Sequence, residues 1–400
     1  MSRQRRISIA ERRARLAVRH RLALTARSPT LCEAADSVVG LHATDPASVF
    51  LEARARMASA TIEAIEHELY DEPTVIRMLG MRRTLFVVPL ETAPIVHAAA
   101  SRAIAAAERK RFAGWLRLAG IADDAERWLA DVEEVAIGAL RARGEAVTAE
   151  LTSADPRLGQ KLTLAQGKSY EGTISVSSRV FLIAAMDGRI GRGRPRGTWI
   201  GSQYRWAPIE RWLPGGMPDM TTPAAQAELI RRWLERFGPG TTEDIRWWTG
   251  LTVAVVKRAL GEIGAAEVDV EGGEVGWLLP DDLPADELDE TTQQDPWVAL
   301  LPSLDATTMG WASRDWYLGP HRPALFDRNG NAGPTIWVDG RVVGGWAQRK
   351  TGEIATRLLE DVGTEVADAI AEEAGRLAAW IGPVRVTPRF PTPLQLELAR

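Results

Sequence analysis

Thr242-Glu243-Asp244-Ile245-Arg246-Trp247-Trp248-Thr249-Gly250-Leu251-Thr252-Val253, followed by Val268-Asp269-Val270-Glu271-Gly272-Gly273-Glu274-Val275-Gly276-Trp277, is the stretch that decides the fold. Thr242 with two acids behind it predicts a capped short helix through Trp248. A hydroxyl at that position satisfies a free backbone N–H, and acids suit the positive end of the helix dipole. Thr249-Gly250-Leu251 then makes the turn of a helix-turn-helix. Thr252 caps a second helix that turns Val253, Val256, Leu260 and Ile263 inward and Lys257 and Arg258 outward. The segments on either side of Gly272-Gly273 read as two strands joined by a two-residue hairpin turn. With the helix predicted over 224–237 in front, the order is helices and then a two-stranded ribbon, which is a winged-helix unit. Its ribbon carries Glu267, Asp269, Glu271 and Glu274, which repel phosphate, so this unit is expected to brace its neighbours rather than grip nucleic acid.

Working outward, the pattern recurs twice. Near the start, Ser8-Ile9-Ala10-Glu11 has the form of a capping box, and helical spacing follows through Ala14, Ala17 and Leu22. Further helices are expected after Pro29 and from Pro46. A short helix from Thr61 leads to strands at 74–78 and 84–88, with Arg82 and Arg83 at the ribbon tip. The next occurrence has a helix over 127–143, a polar loop over 155–172, and a helix over 178–185. Its wing spans 189–200 and carries Arg189, Arg192, Arg194 and Arg196. Trp199, Tyr204, Trp206 and Trp212 follow, able either to stack on unpaired bases or to anchor neighbouring modules. Pro214-Gly215-Gly216-Met217-Pro218 is a linker. After an acidic run (Asp281, Asp282, Asp286, Glu287, Asp289, Glu290), a strand over 297–301, a hairpin around Asp339-Gly340 and a helix over 364–381 read as a small α+β domain. The fold class is therefore α+β, with three tandem winged-helix units and a C-terminal α+β domain. The expected boundaries are 1–115, 116–213, 219–285 and 290–400.

The 400 residues, 45% hydrophobic and 26% charged, suffice for several buried cores. No apolar run approaches the ~20 residues that cross a bilayer, and the first residues lack the apolar segment of a signal peptide, which places the chain in the cytoplasm. One cysteine, Cys32, and five scattered histidines predict no disulfide, no metal and no cofactor. The net charge of −4 hides segregation. Arg3, Arg5, Arg6, Arg12, Arg13, Arg15, Arg19, Arg21 and Arg27 crowd the first thirty residues, either as a phosphate-facing side or as solvated helix faces. His67 and His97 sit on predicted helices without a carboxylate at ligand spacing and read as structural or surface histidines.

Gly40-Leu41-His42-Ala43-Thr44-Asp45-Pro46 is a polar interruption between two predicted helices. Asp45 before Pro46 has the form of an N-cap followed by proline at the first helical position. His42 and Thr44 either bond local backbone or face a ligand.

Taken in order, Val39 to Pro46, Arg83-Thr84-Leu85-Phe86-Val87-Val88, Leu301-Pro302-Ser303-Leu304-Asp305 and Pro334 to Arg341 resemble the AlkZ/YcaQ-type family of winged-helix DNA glycosylases. The resemblance covers nearly the whole chain. It implies a DNA channel built from tandem winged helices and hydrolysis of the N-glycosidic bond of alkylated purines. The family's catalytic signature, glutamine, an apolar residue, then glutamine or aspartate, falls on His42-Ala43-Thr44, where the apolar middle is kept and both flanks differ. It further implies His42, Thr44 and Asp45 at the site, and Arg82, Arg83, Arg189, Arg192, Arg194 and Arg196 on phosphates. The implied partner is double-stranded DNA, alkylated or not, bound by a nucleoid-associated monomer. The alternative is a DNA-binding regulator or damage-site binder without chemistry.

Overall fold

The computed structural model describes residues 5–164, 172–283 and 295–400. Three times the chain runs helix, short strand, two helices and two strands. In the first passage Leu31–Asp36 leads to the strand Leu41–His42, the helices Pro46–Arg56 and Ile62–Glu66, and the strands Val75–Leu79 and Leu85–Pro89. The last strand lies in the middle of this antiparallel sheet, between the other two. The third passage repeats the order with Thr222–Phe237, Gly240–Thr241, Thr242–Thr249, Val253–Glu262, Ala266–Val270 and Glu274–Leu278. In the second passage the short strand shrinks to a single bridge between Ala146 and Trp206. Its helices are Ala125–Arg143, Thr148–Leu151 and Val176–Met186, and its long strands are Ile190–Pro195 and Tyr204–Pro208.

Local chemistry explains the helix ends. Thr241, one residue earlier than the sequence suggests, caps the helix of the deciding stretch in a reciprocal box with Asp244, and Gly250 closes it in the left-handed conformation. Val253, expected inside, is exposed. The hairpin turn holds three residues, since Val270 pairs with Glu274.

Two further expectations need amending. The Gly40 to Pro46 stretch does join two helices, with Asp45 capping the second, but Leu41–His42 within it also forms a strand. Its backbone groups are claimed by the neighbouring hairpin, a tertiary pairing that two residues cannot announce by periodicity. The polar segment over 155–172, expected as a loop or insertion, holds the strand Lys161–Leu164, whose partner Gly172–Ser175 starts at its last residue, while 165–171 lie outside the described residues. Of the acidic run, Asp286, Glu287, Asp289 and Glu290 also lie outside them.

Much of the described part of the first basic run is engaged inside the molecule. Arg6–Ile7 adds a parallel strand to the acidic third hairpin, and Ile9 N–H donates to Glu271 at 2.6 Å. Arg12 stacks on Trp316, Arg15 pairs with Glu11, and Arg19 pairs with Asp282 at 2.7 Å. Arg12 and Arg15 are buried, and the phosphate-facing and solvated readings both fail for them. The C-terminal part is a four-stranded antiparallel meander, Val298–Leu301, Thr335–Val338, Arg341–Gln348 and Ile354–Leu358, against which the helix Thr364–Ile381 packs. Trp199 ties the modules together, its ring 5.1 Å from Phe50 and 5.9 Å from Trp380, which is the anchoring role rather than stacking on bases.

Candidate nucleic-acid site around His42

Gly40 brings the chain onto the first hairpin. A Cβ there would meet Val88 at 2.7 Å and the Val87 carbonyl at 3.2 Å, so only glycine allows the approach. Leu41 then pairs with Val87 and His42 with Phe86, and Ala43 N–H donates to the Leu85 carbonyl at 2.8 Å. This pairing fixes the backbone direction of His42-Ala43-Thr44.

His42 is buried beside the Phe86 ring, with its Nδ1 enclosed and without a hydrogen-bond partner. Burial, reinforced by the charge of Arg82, pulls its pKa down to about 3, so the imidazole is neutral at physiological pH. Thr44 is half-buried, and its hydroxyl has no protein partner among the described residues. Asp45 caps the helix Pro46–Arg56. One oxygen accepts from Ala47 N–H at 3.2 Å and the other from Arg389 N–H at 3.0 Å, while burial raises its pKa.

Behind the strand lies a fully buried polar cluster that sequence reading did not assign. Both oxygens of Glu52 accept from His42 N–H at 3.3 Å, and Arg56, one turn on, forms a two-pronged pair with Asp305 at 2.9 Å and donates to Thr307. With two carboxylates and one guanidinium, burial and the charge of Asp305 raise the Glu52 pKa well above its ordinary value. The protonated form of Glu52 is thereby favoured, which spares the cluster a second buried negative charge. The Leu301 to Asp305 landmark is thus the anchor of the helix that carries Glu52.

The six basic candidates divide. Arg83 pairs with Glu108, Arg189 with Glu134, and Arg194 with Glu66 and Asp71. Arg82, Arg192 and Arg196 have no carboxylate partner among the described residues. Arg82 lies over Trp247 at 3.9 Å, and Arg314, which the sequence did not flag, covers the same ring at 4.6 Å. Arg77, also missed, donates to the Ala43 carbonyl at 3.2 Å. Its signal was a lone cation inside an apolar strand. His97 is buried and His67 exposed. Among the described residues no group of three or more His, Cys, Asp or Glu forms a metal site, and no helix is long and apolar enough to cross a membrane.

No curated protein sequence matches the chain. The structure is similar to that of the DNA glycosylase AlkZ of Streptomyces sahachiroi, with a TM-score of 0.70 at 22% identity, over 94% of this chain and 98% of that one. That likeness establishes the fold. The family described as DNA glycosylase AlkZ-like matches residues 35–380, which hold the His42 strand, its helix anchor and all three strand repeats, and the chain belongs to that family.

Proposed function

We propose that the protein binds double-stranded DNA through three winged-helix units, divided near 115, 213–219 and 285–290, and releases alkylated purines by hydrolysing the N-glycosidic bond. The observation that carries this reading is a neutral histidine on a paired strand and, two residues on, a threonine hydroxyl without a partner among the described residues, at the position of the family signature. A cationic alkylpurine is already a good leaving group, so the enzyme needs chiefly to place a water and tolerate positive charge on the sugar. Neutral His42 and Thr44 hold that water. Its oxygen bonds to C1′ as the C1′–N bond breaks, the electron pair leaves with the base, which departs neutral, and the water's proton passes to solvent. Asp45, with both oxygens engaged, positions the Thr44–Pro46 turn. Arg82, Arg192 and Arg196 contact phosphates, and Arg83, Arg189 and Arg194 do so by exchanging their internal carboxylates for DNA. On this reading the protein acts on DNA as a monomer in the cytoplasm.

The test is base release from duplex DNA carrying 7-methylguanine. Release by the wild type, lost in His42→Ala/Thr44→Ala, is the expected result. Release equal in both, or absent in both, removes the catalytic assignment.

A second reading is favoured by one observation: each carboxylate nearest the strand is already engaged, Asp45 by two backbone donors and Glu52 by the His42 N–H. On that reading the protein recognises damaged DNA without cleaving it. Tight binding to modified duplex with no base release distinguishes this reading from the first.

A further inference from the structure

A cleft of about 520 Å³ opens in front of the second hairpin, lined among others by Thr148, Arg192, Arg196, Gln203, Tyr204 and Trp206. Among the described residues its lining holds two guanidiniums with hydroxyl and amide groups but no carboxylate, and the Trp206 indole N–H there donates to the Thr148 hydroxyl at 2.9 Å. The Arg192 guanidinium lies 4.7 Å from the centre of the Trp206 ring. Arg77, 3% exposed, lies 4.6 Å over Tyr204, and its Nε and Nη2 have no partner. Aromatic faces supply part of what a carboxylate would supply, but they leave the charge unneutralised. The neighbouring acids are committed elsewhere. Glu145 binds Arg205 at 2.6 Å and Arg211 at 2.9 Å, while Glu66 and Asp71 bind Arg194. Burial and the charge of Arg77 together hold the Arg192 pKa down at about 10, as expected for cations placed together without a counter-ion.

We propose that this cleft is a phosphate site that seats one backbone phosphate of bound DNA and sets the strand in register with His42-Ala43-Thr44. The register comes from Arg77, which touches both regions. Its Nη1 donates to the Ala43 carbonyl at 3.2 Å, while its guanidinium covers Tyr204 of the cleft. Arg192 turns its free N–H edges to the phosphate, and Arg196 closes over it from the exposed rim. The volume exceeds that of a bare phosphate and suits a phosphate carrying its sugar. The inference rests on the DNA-binding reading above for the source of the phosphate, not for the chemistry of the cleft.

The test measures duplex binding by fluorescence anisotropy across a salt series for wild type, Arg196→Gln, Arg192→Gln/Arg196→Gln and the remote control Arg349→Gln. In parallel, phosphorus NMR follows line broadening of inorganic phosphate and of the dinucleotide d(TpT). The double variant is expected to bind duplex about 5- to 20-fold more weakly, with a salt slope smaller by about 1 to 2 phosphates, and to lose the broadening of d(TpT). Arg196→Gln, at an exposed position, shows the smaller part of the same effect without disturbing the fold. Unchanged duplex affinity and slope in both variants overturn the proposal while leaving DNA binding intact. If wild type fails to bind duplex but broadens inorganic phosphate in a manner lost in the double variant, the anion site stands and DNA is not its source. Broadening of neither probe by the wild type removes the site altogether.

Discussion

Arg56 and Arg192 are both arginines withdrawn from bulk solvent, and they have opposite surroundings. Arg56 is fully buried, grips Asp305 with both arms, reaches Thr307, and has Glu52 beside it, whose pKa burial and Asp305 raise. Arg192 has an indole face, a neighbouring cation in Arg77, and open space. A buried charge with its counter-ion in place is a completed structural joint. One with only aromatic cover is stabilised fully when an anion arrives from outside. The difference separates the framework that aims His42 from the surface that meets a ligand.

The comparison breaks most directly at Asp305. Asp305→Ala removes both charge-assisted bonds that hold Arg56 in the interior and should cost about 3–5 kcal/mol in urea unfolding. A loss below about 1 kcal/mol would show that Arg56 is no more committed than Arg192. Next comes the pH response of His42, which Glu52 holds through the backbone. Its folded pKa near 3 lies below the unfolded value near 6.5, so below pH 6.5 the unfolded chain gains a proton that the folded chain refuses. Stability should therefore fall as pH drops, by about 2 kcal/mol from this group at pH 5, and His42→Asn should flatten that slope in urea midpoints measured at pH 5 and 7. Glu52 runs the other way. Its raised folded pKa contributes stability present in full at low pH and lost as pH rises through the folded value, so Glu52→Gln should unfold at a higher urea concentration than wild type at pH 8. A lower midpoint at that pH would mean that the carboxylate is ionised in the folded state. The smallest effect belongs to the other half of the comparison. Arg196→Gln should change folding stability by less than about 0.5 kcal/mol, since the exposed side chain has no internal ion pair. A larger loss would place Arg196 in the framework.

Much of the fold was legible because it is written locally. Ser8, Thr61 and Thr252 cap helices where their hydroxyls stand ahead of apolar periodicity, and the helix Thr364–Ile381 begins and ends at the residues its pattern indicates. The strands around Arg82 and Asp339-Gly340 carry alternation or turn chemistry that needs no partner to be seen. The strand Leu41–His42 carries neither, because two residues have no period and its partner lies more than forty positions away in sequence. Asp45 was readable as a cap, while its second bond, to Arg389, was not. Glu52 and Asp305 meet only after the C-terminal part folds back, and nothing local marks Glu52 as an acid whose pKa burial raises. Arg77 was visible and passed over, although a cation in the middle of Thr74-Val75-Ile76-Arg77-Met78 had to find something to hold.

The parallel strand Arg6–Ile7 has a consequence for how the protein is made. Ile9 and its acceptor Glu271 are 262 residues apart, so during synthesis this basic, partly apolar segment emerges long before the sheet edge that receives it. Ile7 is destined for a small interior with Val268, Val270 and Leu278, and until they appear it has no native shelter. The first part of the chain therefore completes its folding after translation has passed the third hairpin. Fusing a bulky domain directly ahead of Arg6 should slow that closing step, whereas the same domain placed after Arg400 should leave it unhindered.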